Sequence, residues 1–152
     1  DWDIPIAADE SVRKADDPLA VAQAGAADLL VIKAQPLGGI PRARRIVAEA
    51  GLPVVVSSAL ESSIGLSMGV ALAASLDTRD FDCGLGTAAL LARDVVATPL
   101  LPRDGALPVT RLTPDAALLA ELAAPPQRAQ WWRERVERCY ALLVRAGSDL
   151  GG

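Results

Sequence analysis

A chain of 152 residues, 51% hydrophobic and 22% charged, suits one domain that buries roughly two-thirds of its unfolded surface, and it is too apolar to stay disordered. The formal net charge of −4 argues against nucleic-acid binding, no run approaches the roughly 18 apolar residues of a membrane span, and no leader precedes the first strand, so a soluble, cytoplasmic protein without a membrane partner is expected. There is no histidine, which removes histidine bases, triads and metal sites together and leaves carboxylates, lysine or tyrosine for acid–base chemistry.

In chain order, Ile4 to Ala8 predicts a strand that ends in Asp9-Glu10-Ser11. Pro18 to Ala26 predicts a short helix with Asp16 or Asp17 at its N-cap and Gly25 near its end. Leu29 to Ile32 then runs without polar alternation into Lys33 and is stopped by Pro36, Gly38 and Gly39, the pattern of a strand covered on both faces. Only Lys14 and Lys33 among the 15 basic residues are lysines, so position 33 suits an amine that can titrate; the plainer alternative is a strand-end lysine snorkelling into solvent. Pro41 to Ala50 is the next helix, closed by Gly51, and Arg42, Arg44 and Arg45 form its solvated face. Pro53 to Ser58 is a further apolar strand, Ile64 to about Leu76 a helix, and Phe81 to Leu85 a short strand ending in Cys-Gly-Leu-Gly-Thr.

Beyond Val96 the pattern changes. Pro99, Pro102, Gly105 and Pro108 break the chain, Leu107 to Leu112 reads as an extended arm, and Thr113-Pro114-Asp115 opens a helix to Leu122. After Pro125-Pro126, Trp132, Val136, Cys139, Tyr140, Leu143 and Val144 recur at helical spacing, as in an amphipathic packing helix. The division expected is therefore 1–105 for the βα units, 106–147 for the arm and helices, and 148–152 for a disordered tail. Cys83 and Cys139 lack metal-ligand spacing and read as thiols in a reducing compartment.

Asp9, Lys33, Ser57 and Cys83 are separated by 24, 24 and 26 residues, a period of one strand plus one helix. Right-handed crossovers place the carboxyl ends of such strands on one rim, where a (β/α) barrel does its chemistry. A doubly wound sheet is the main alternative, but no G-x-G-x-x-G opens a helix. On a shared rim, Asp9 and Lys33 would pair a hard oxygen ligand with an amine, an arrangement suited to removing a proton from a carbon acid beside a magnesium ion; the alternative is that Asp9 only caps the next turn. Ser62 and Ser63, opening a helix beside the rim, make a plausible anion site.

Ala-Asp-Glu-Ser at 8–11, Val-Ile-Lys at 31–33, Ser-Ser-Ala-Leu-Glu-Ser-Ser-Ile-Gly-Leu at 57–66 and Gly-Leu-Gly-Thr at 84–87 resemble the last four strand ends of an enolase-superfamily barrel, and within it the o-succinylbenzoate synthase group. The resemblance implies an α/β fold made of the C-terminal half of the barrel, about four βα units, followed by a C-terminal arm and helices. It implies a magnesium-dependent syn dehydration in menaquinone biosynthesis, with manganese as an alternative ion and a small dicarboxylate as substrate. Asp9 then matches a metal-binding carboxylate, Lys33 the sixth-strand lysine that acts as proton acceptor or as a stabilising cation, and Ser57 with the amides near Gly84 and Leu85 the region that holds the substrate's carboxylates. Glu10 would stand behind the metal ligand, and Glu61 would orient the loop or cap the helix. The family pattern also calls for a capping domain, a Lys-x-Lys and two further metal carboxylates ahead of Asp1, so the missing N-terminal half or self-association is expected to cover an open barrel. Two other enzymes of the superfamily, an N-succinylamino acid racemase and a dipeptide epimerase, are the nearest alternatives; a non-catalytic half-barrel module is the third.

Overall fold

The apolar run before Lys33 becomes the middle of a parallel sheet. In the computed structural model, which describes residues 3–76 and 81–149, strands β1 (Ala7–Ala8), β2 (Leu29–Ile32) and β3 (Val54–Val56) lie side by side in sequence order. Leu29 and Leu30 pair with Ala7 and Ala8, and Leu30 to Ile32 pair with Val54 to Val56. Sequential order without a reversal fits a barrel wall. Helices α1 (Asp17–Gln23), α2 (Ile40–Ala50) and α3 (Ser63–Ala74) follow the three strands in turn, with α2 packed between α1 and α3.

Local chemistry sets these elements. Pro18 stands in the first turn of α1, where its missing N–H costs nothing, and Asp17 accepts the Lys14 N–H at 2.8 Å. Gly51 ends α2 in the left-handed region at φ 67°, which a side chain would resist. Leu30, Ile32, Leu37, Val56, Leu66 and Leu72 are fully buried and form the core between sheet and helices. Such burial, worth roughly 25 cal/mol per Å² of apolar surface, holds the layers together.

Two expected strands are shorter than the sequence suggests. Only Ala7 and Ala8 pair from the segment beginning at Ile4, and Ile4 and Ile6 are exposed. The strand expected at Phe81 to Leu85 is reduced to one parallel bridge between Gly84 and Ser57, followed by a 3₁₀ turn at Thr87–Leu90.

The chain divides into two units, residues 1–118 and 119–152. The arm set apart from residue 106 onward belongs to the first: Leu107 and Leu112 pack against the core, and the Asp115 N–H reaches the Val95 carbonyl at 2.8 Å. Asp115 also caps α4 (Ala116–Glu121), accepting the N–H groups of Ala117 and Leu118 at 2.8 and 3.0 Å.

The second unit is dominated by α5 (Pro126–Asp149). The Trp131 and Trp132 rings meet edge to face with centroids 4.8 Å apart, and Arg128 and Arg135 lie within 5.6 Å of the Trp131 centroid. Val136, Tyr140 and Leu143 of the expected packing stripe are exposed. Residues 148 and 149, expected in a disordered tail, continue the helix; 150–152 lie outside the described residues. No helix among the described residues is long and apolar enough to cross a membrane.

Candidate active site

Parallel pairing of β1 with β2 brings their carboxyl ends together, and each ends in a charge. The Lys33 ammonium donates directly to Asp9 Oδ1, across 24 residues of chain. Lys33 is only 9% exposed, so it does not snorkel; burial strengthens the attraction because little water screens the pair. The Asp9 side chain is 38% exposed and keeps one side toward solvent. Asp9 precedes the 3₁₀ turn Glu10–Val12 but makes no side-chain cap bond there, so the capping alternative is not what the fold uses. Glu10 is exposed and lies 3.8 Å from Arg13, a surface pair of little energetic weight. It takes no part in the Asp9–Lys33 contact.

The other end of the rim is neutral. The Ser57 N–H donates to the Ile32 carbonyl at 2.9 Å and the Gly84 N–H to the Val56 carbonyl at 2.9 Å, which extends the sheet by one bridge. Both Ser57 Oγ and Ser58 Oγ donate to the Gly84 carbonyl at 3.3 Å, and Ser58 Oγ lies 2.7 Å from Thr87 Oγ1. A Cβ on Gly84 would stand 2.9 Å from Ser57 Oγ, so glycine permits the approach. The Gly84 N–H, one of the amides near which a substrate carboxylate is expected, donates to the Val56 carbonyl. Leu85 is buried, and its side chain packs so close to α3 that a Cβ on Gly69 would stand 2.8 Å from Leu85 Cδ2.

Between these ends, the loop into α3 turns through Leu60 at φ 64°, an unfavourable conformation for leucine. Glu61 follows with both carboxylate oxygens buried and, among the described residues, no hydrogen-bond partner. Its stem lies against Gly65, where a Cβ would meet Glu61 Cβ at 2.8 Å, and Gln35 Nε2 donates to the Gly65 carbonyl at 2.9 Å. Ser62 is the N-cap of α3, so Glu61 does not cap the helix.

The anion site expected at Ser62 and Ser63 is filled from within the chain. The Ser63 N–H and Oγ–H both donate to Asp94 Oδ2, at 2.9 and 2.6 Å, while Ser63 Oγ accepts the Leu100 N–H at 2.7 Å. Asp94 stands 31 residues away on an irregular segment without a motif of its own. Sequence reasoning missed it, together with Gln35 and the Ser58–Thr87 pair, although Ser58 and Thr87 stand inside the quoted motifs. Among the described residues no group of three or more carboxylate or thiol side chains is placed to hold a metal. Asp9 offers one hard, partly exposed oxygen donor, which suits magnesium chemically but is a single ligand.

Comparison with known proteins bears on this geometry. A family model described as enolase C-terminal domain-like matches residues 1–115. A Mycobacterium leprae protein named o-succinylbenzoate synthase is 55% identical over 150 residues, 99% of this chain and 45% of that protein. The Mycobacterium tuberculosis protein of the same name is 57% identical over 142 residues, 93% of this chain and 43% of its own length. Among solved structures, muconate lactonizing enzyme from Pseudomonas fluorescens, complexed with muconolactone, superposes with a TM-score of 0.70 at 30% identity over 77% of this chain and 34% of that one. For 2-chloromuconate cycloisomerase from Rhodococcus opacus 1CP the TM-score is 0.71 at 30% identity, over 82% of this chain and 36% of that chain. The chain spans a little under half the length of the curated relatives it matches.

Proposed function

We propose, from the premise that this chain belongs to the enolase C-terminal domain-like family, that it forms the C-terminal part of an o-succinylbenzoate synthase. The reaction is the syn dehydration of 2-succinyl-6-hydroxy-2,4-cyclohexadiene-1-carboxylate: a C–H proton and the hydroxyl leave as water, and the ring becomes aromatic in o-succinylbenzoate. The observation that carries this reading is the buried Lys33 amine against Asp9 at adjacent strand ends. A racemase or epimerase of the same family would use that amine similarly, but the relatives named above favour the dehydratase.

A divalent cation, magnesium with manganese as the alternative, would be held in part by Asp9 and would draw off negative charge developing on the substrate's carboxylate. Lys33 acts on the reacting carbon, and two roles fit a buried strand-end amine: accepting the proton, or standing as an ammonium beside the developing charge. Arginine retains the charge but not the proton-accepting capacity, so Lys33→Arg separates the two. Ser57 Oγ, with the backbone around Leu85, holds the far carboxylate of this small dicarboxylate substrate. Glu61 supports the rim behind these groups, and Glu10, next to Asp9 in the chain, stands at its exposed edge. The working protein is cytoplasmic, and the open sheet is covered by an N-terminal half or by a second copy.

A non-catalytic half-barrel module is the second reading, favoured by the single carboxylate ligand found among the described residues. The deciding experiment joins this chain to an N-terminal half and follows o-succinylbenzoate formation with magnesium, beside sedimentation of the chain alone. We expect turnover by the joined protein and none by the isolated chain, which should self-associate. No product from a folded joined protein would overturn the dehydratase reading, and a monomeric isolated chain that turns over would overturn the half-barrel reading.

A further inference from the structure

A helix N-terminus beside an active-site rim would ordinarily attract a substrate carboxylate, because its first N–H groups lack partners and its dipole favours negative charge. Here α3 begins six residues after Ser57, yet the first of those N–H groups, on Ser63, already donates to a carboxylate from the chain itself. Asp94 is buried; its Oδ2 accepts both the N–H and the hydroxyl of Ser63, which is itself fully buried, and its Oδ1 accepts the Val95 N–H at 2.6 Å. Ser63 Oγ passes the connection on by accepting the Leu100 N–H. The network ties the start of α3 to residues 94–100, the segment that follows the Gly84–Thr87 end of the rim.

We propose that Asp94 is a positioning residue of the candidate site, an internal anion that fills the α3 N-terminus, fixes the 57–62 loop, and so directs an incoming carboxylate to Ser57 rather than to the helix end. Three observations converge on this role. The first N–H of the helix and the Ser63 hydroxyl are both taken by the buried Asp94 carboxylate. The loop it anchors contains the unfavourable Leu60 turn, which would relax if the α3 start were released. Ser57 and Ser58 of that loop are the residues bonded to the Gly84 carbonyl, so movement of the α3 start is passed to the group proposed to hold substrate.

The assignment of a dicarboxylate substrate rests on the dehydratase reading, but the filled helix end does not. The test uses Asp94→Ala and the milder Asp94→Asn in the joined protein. In the active protein, Asp94→Ala should raise KM at least tenfold while kcat, per folded molecule, stays within threefold, and 50 mM sodium formate should recover most of the KM change. Asp94→Asn, which keeps one oxygen for Ser63, should fall between wild type and alanine and gain nothing from formate. In the same protein, the amide resonances of Ser63 and Leu100 should shift in Asp94→Ala and return toward their wild-type positions as formate is added. An unchanged KM in folded Asp94→Ala, or formate that restores neither KM nor the resonances, overturns the proposal. An inactive wild-type joined protein, together with a formate response at Ser63 in Asp94→Ala, would instead reject the dehydratase reading and leave the filled helix end standing.

Discussion

The two ends of the rim are built from opposite kinds of interaction. At the β1–β2 end a buried ammonium meets a half-exposed carboxylate, and at the β3 end two serines, a threonine and a glycine carbonyl make neutral hydrogen bonds. A charge pair changes with its partners and can act on a developing charge, whereas neutral bonds to backbone hold a distance whatever the state of the site. The difference teaches that position and reactivity are separated along one sheet. Substitutions at the first end should act on rate as well as stability, and those at the second on geometry and stability.

The severest way to break the contrast is Lys33→Arg in the active joined protein. If the amine takes the proton, kcat should fall about 100-fold or more with the fold intact by circular dichroism, and a fall of less than tenfold would leave only the cationic role. Asp9→Asn leaves the buried Lys33 ammonium without its anion. Because Asp9 is partly solvated, the loss should be about 1 to 2 kcal/mol, less than for a fully buried pair, and urea unfolding of the joined protein measures it. At the neutral end, Gly84→Ala puts a methyl 2.9 Å from Ser57 Oγ and should cost about 1 kcal/mol, part of which Ser57→Ala restores in a double-mutant cycle. Smallest is Leu60→Gly, which removes the cost of a leucine at φ 64° and should raise stability by about 0.5 to 1 kcal/mol, seen as a few degrees in melting temperature. A loss of stability there would mean that the exposed Leu60 side chain does more for the loop than its backbone costs.

Much of the fold was legible because parallel strands announce themselves. Leu29 to Ile32 and Val54 to Val56 are continuous apolar runs, and Pro18, Pro41 and Gly51 mark helix ends by constraints that act within a few residues. What escaped depends on distant chain. The segment from Ile4 pairs over two residues only, and the Phe81 to Leu85 segment makes a single bridge; neither outcome is written in local propensity. The Asp9–Lys33 pair followed from strand spacing, since side-by-side strands align their ends. Asp94 did not, because a lone aspartate between an arginine and two valines carries no sign that Ser63, 31 residues earlier, needs an acceptor. The same limit applies to α5, whose apolar spacing predicts a helix correctly but cannot say that Val136, Tyr140 and Leu143 stay exposed.

The sequential strand order also governs how the molecule assembles as it is made. Ala7 partners Leu29 and Leu30 partners Val54, so each addition to the sheet closes over a single crossover of 22 or 24 residues, and neither waits for a distant segment. At about 5 to 20 residues per second, the 24 residues between Ile32 and Val56 take roughly one to five seconds to emerge. During that interval β2 has β1 along one edge and nothing along the other, with Leu30 and Ile32 not yet sealed. This apolar strand therefore passes through a timed window as a bare edge on the ribosome, where a chaperone would have a hold on the chain.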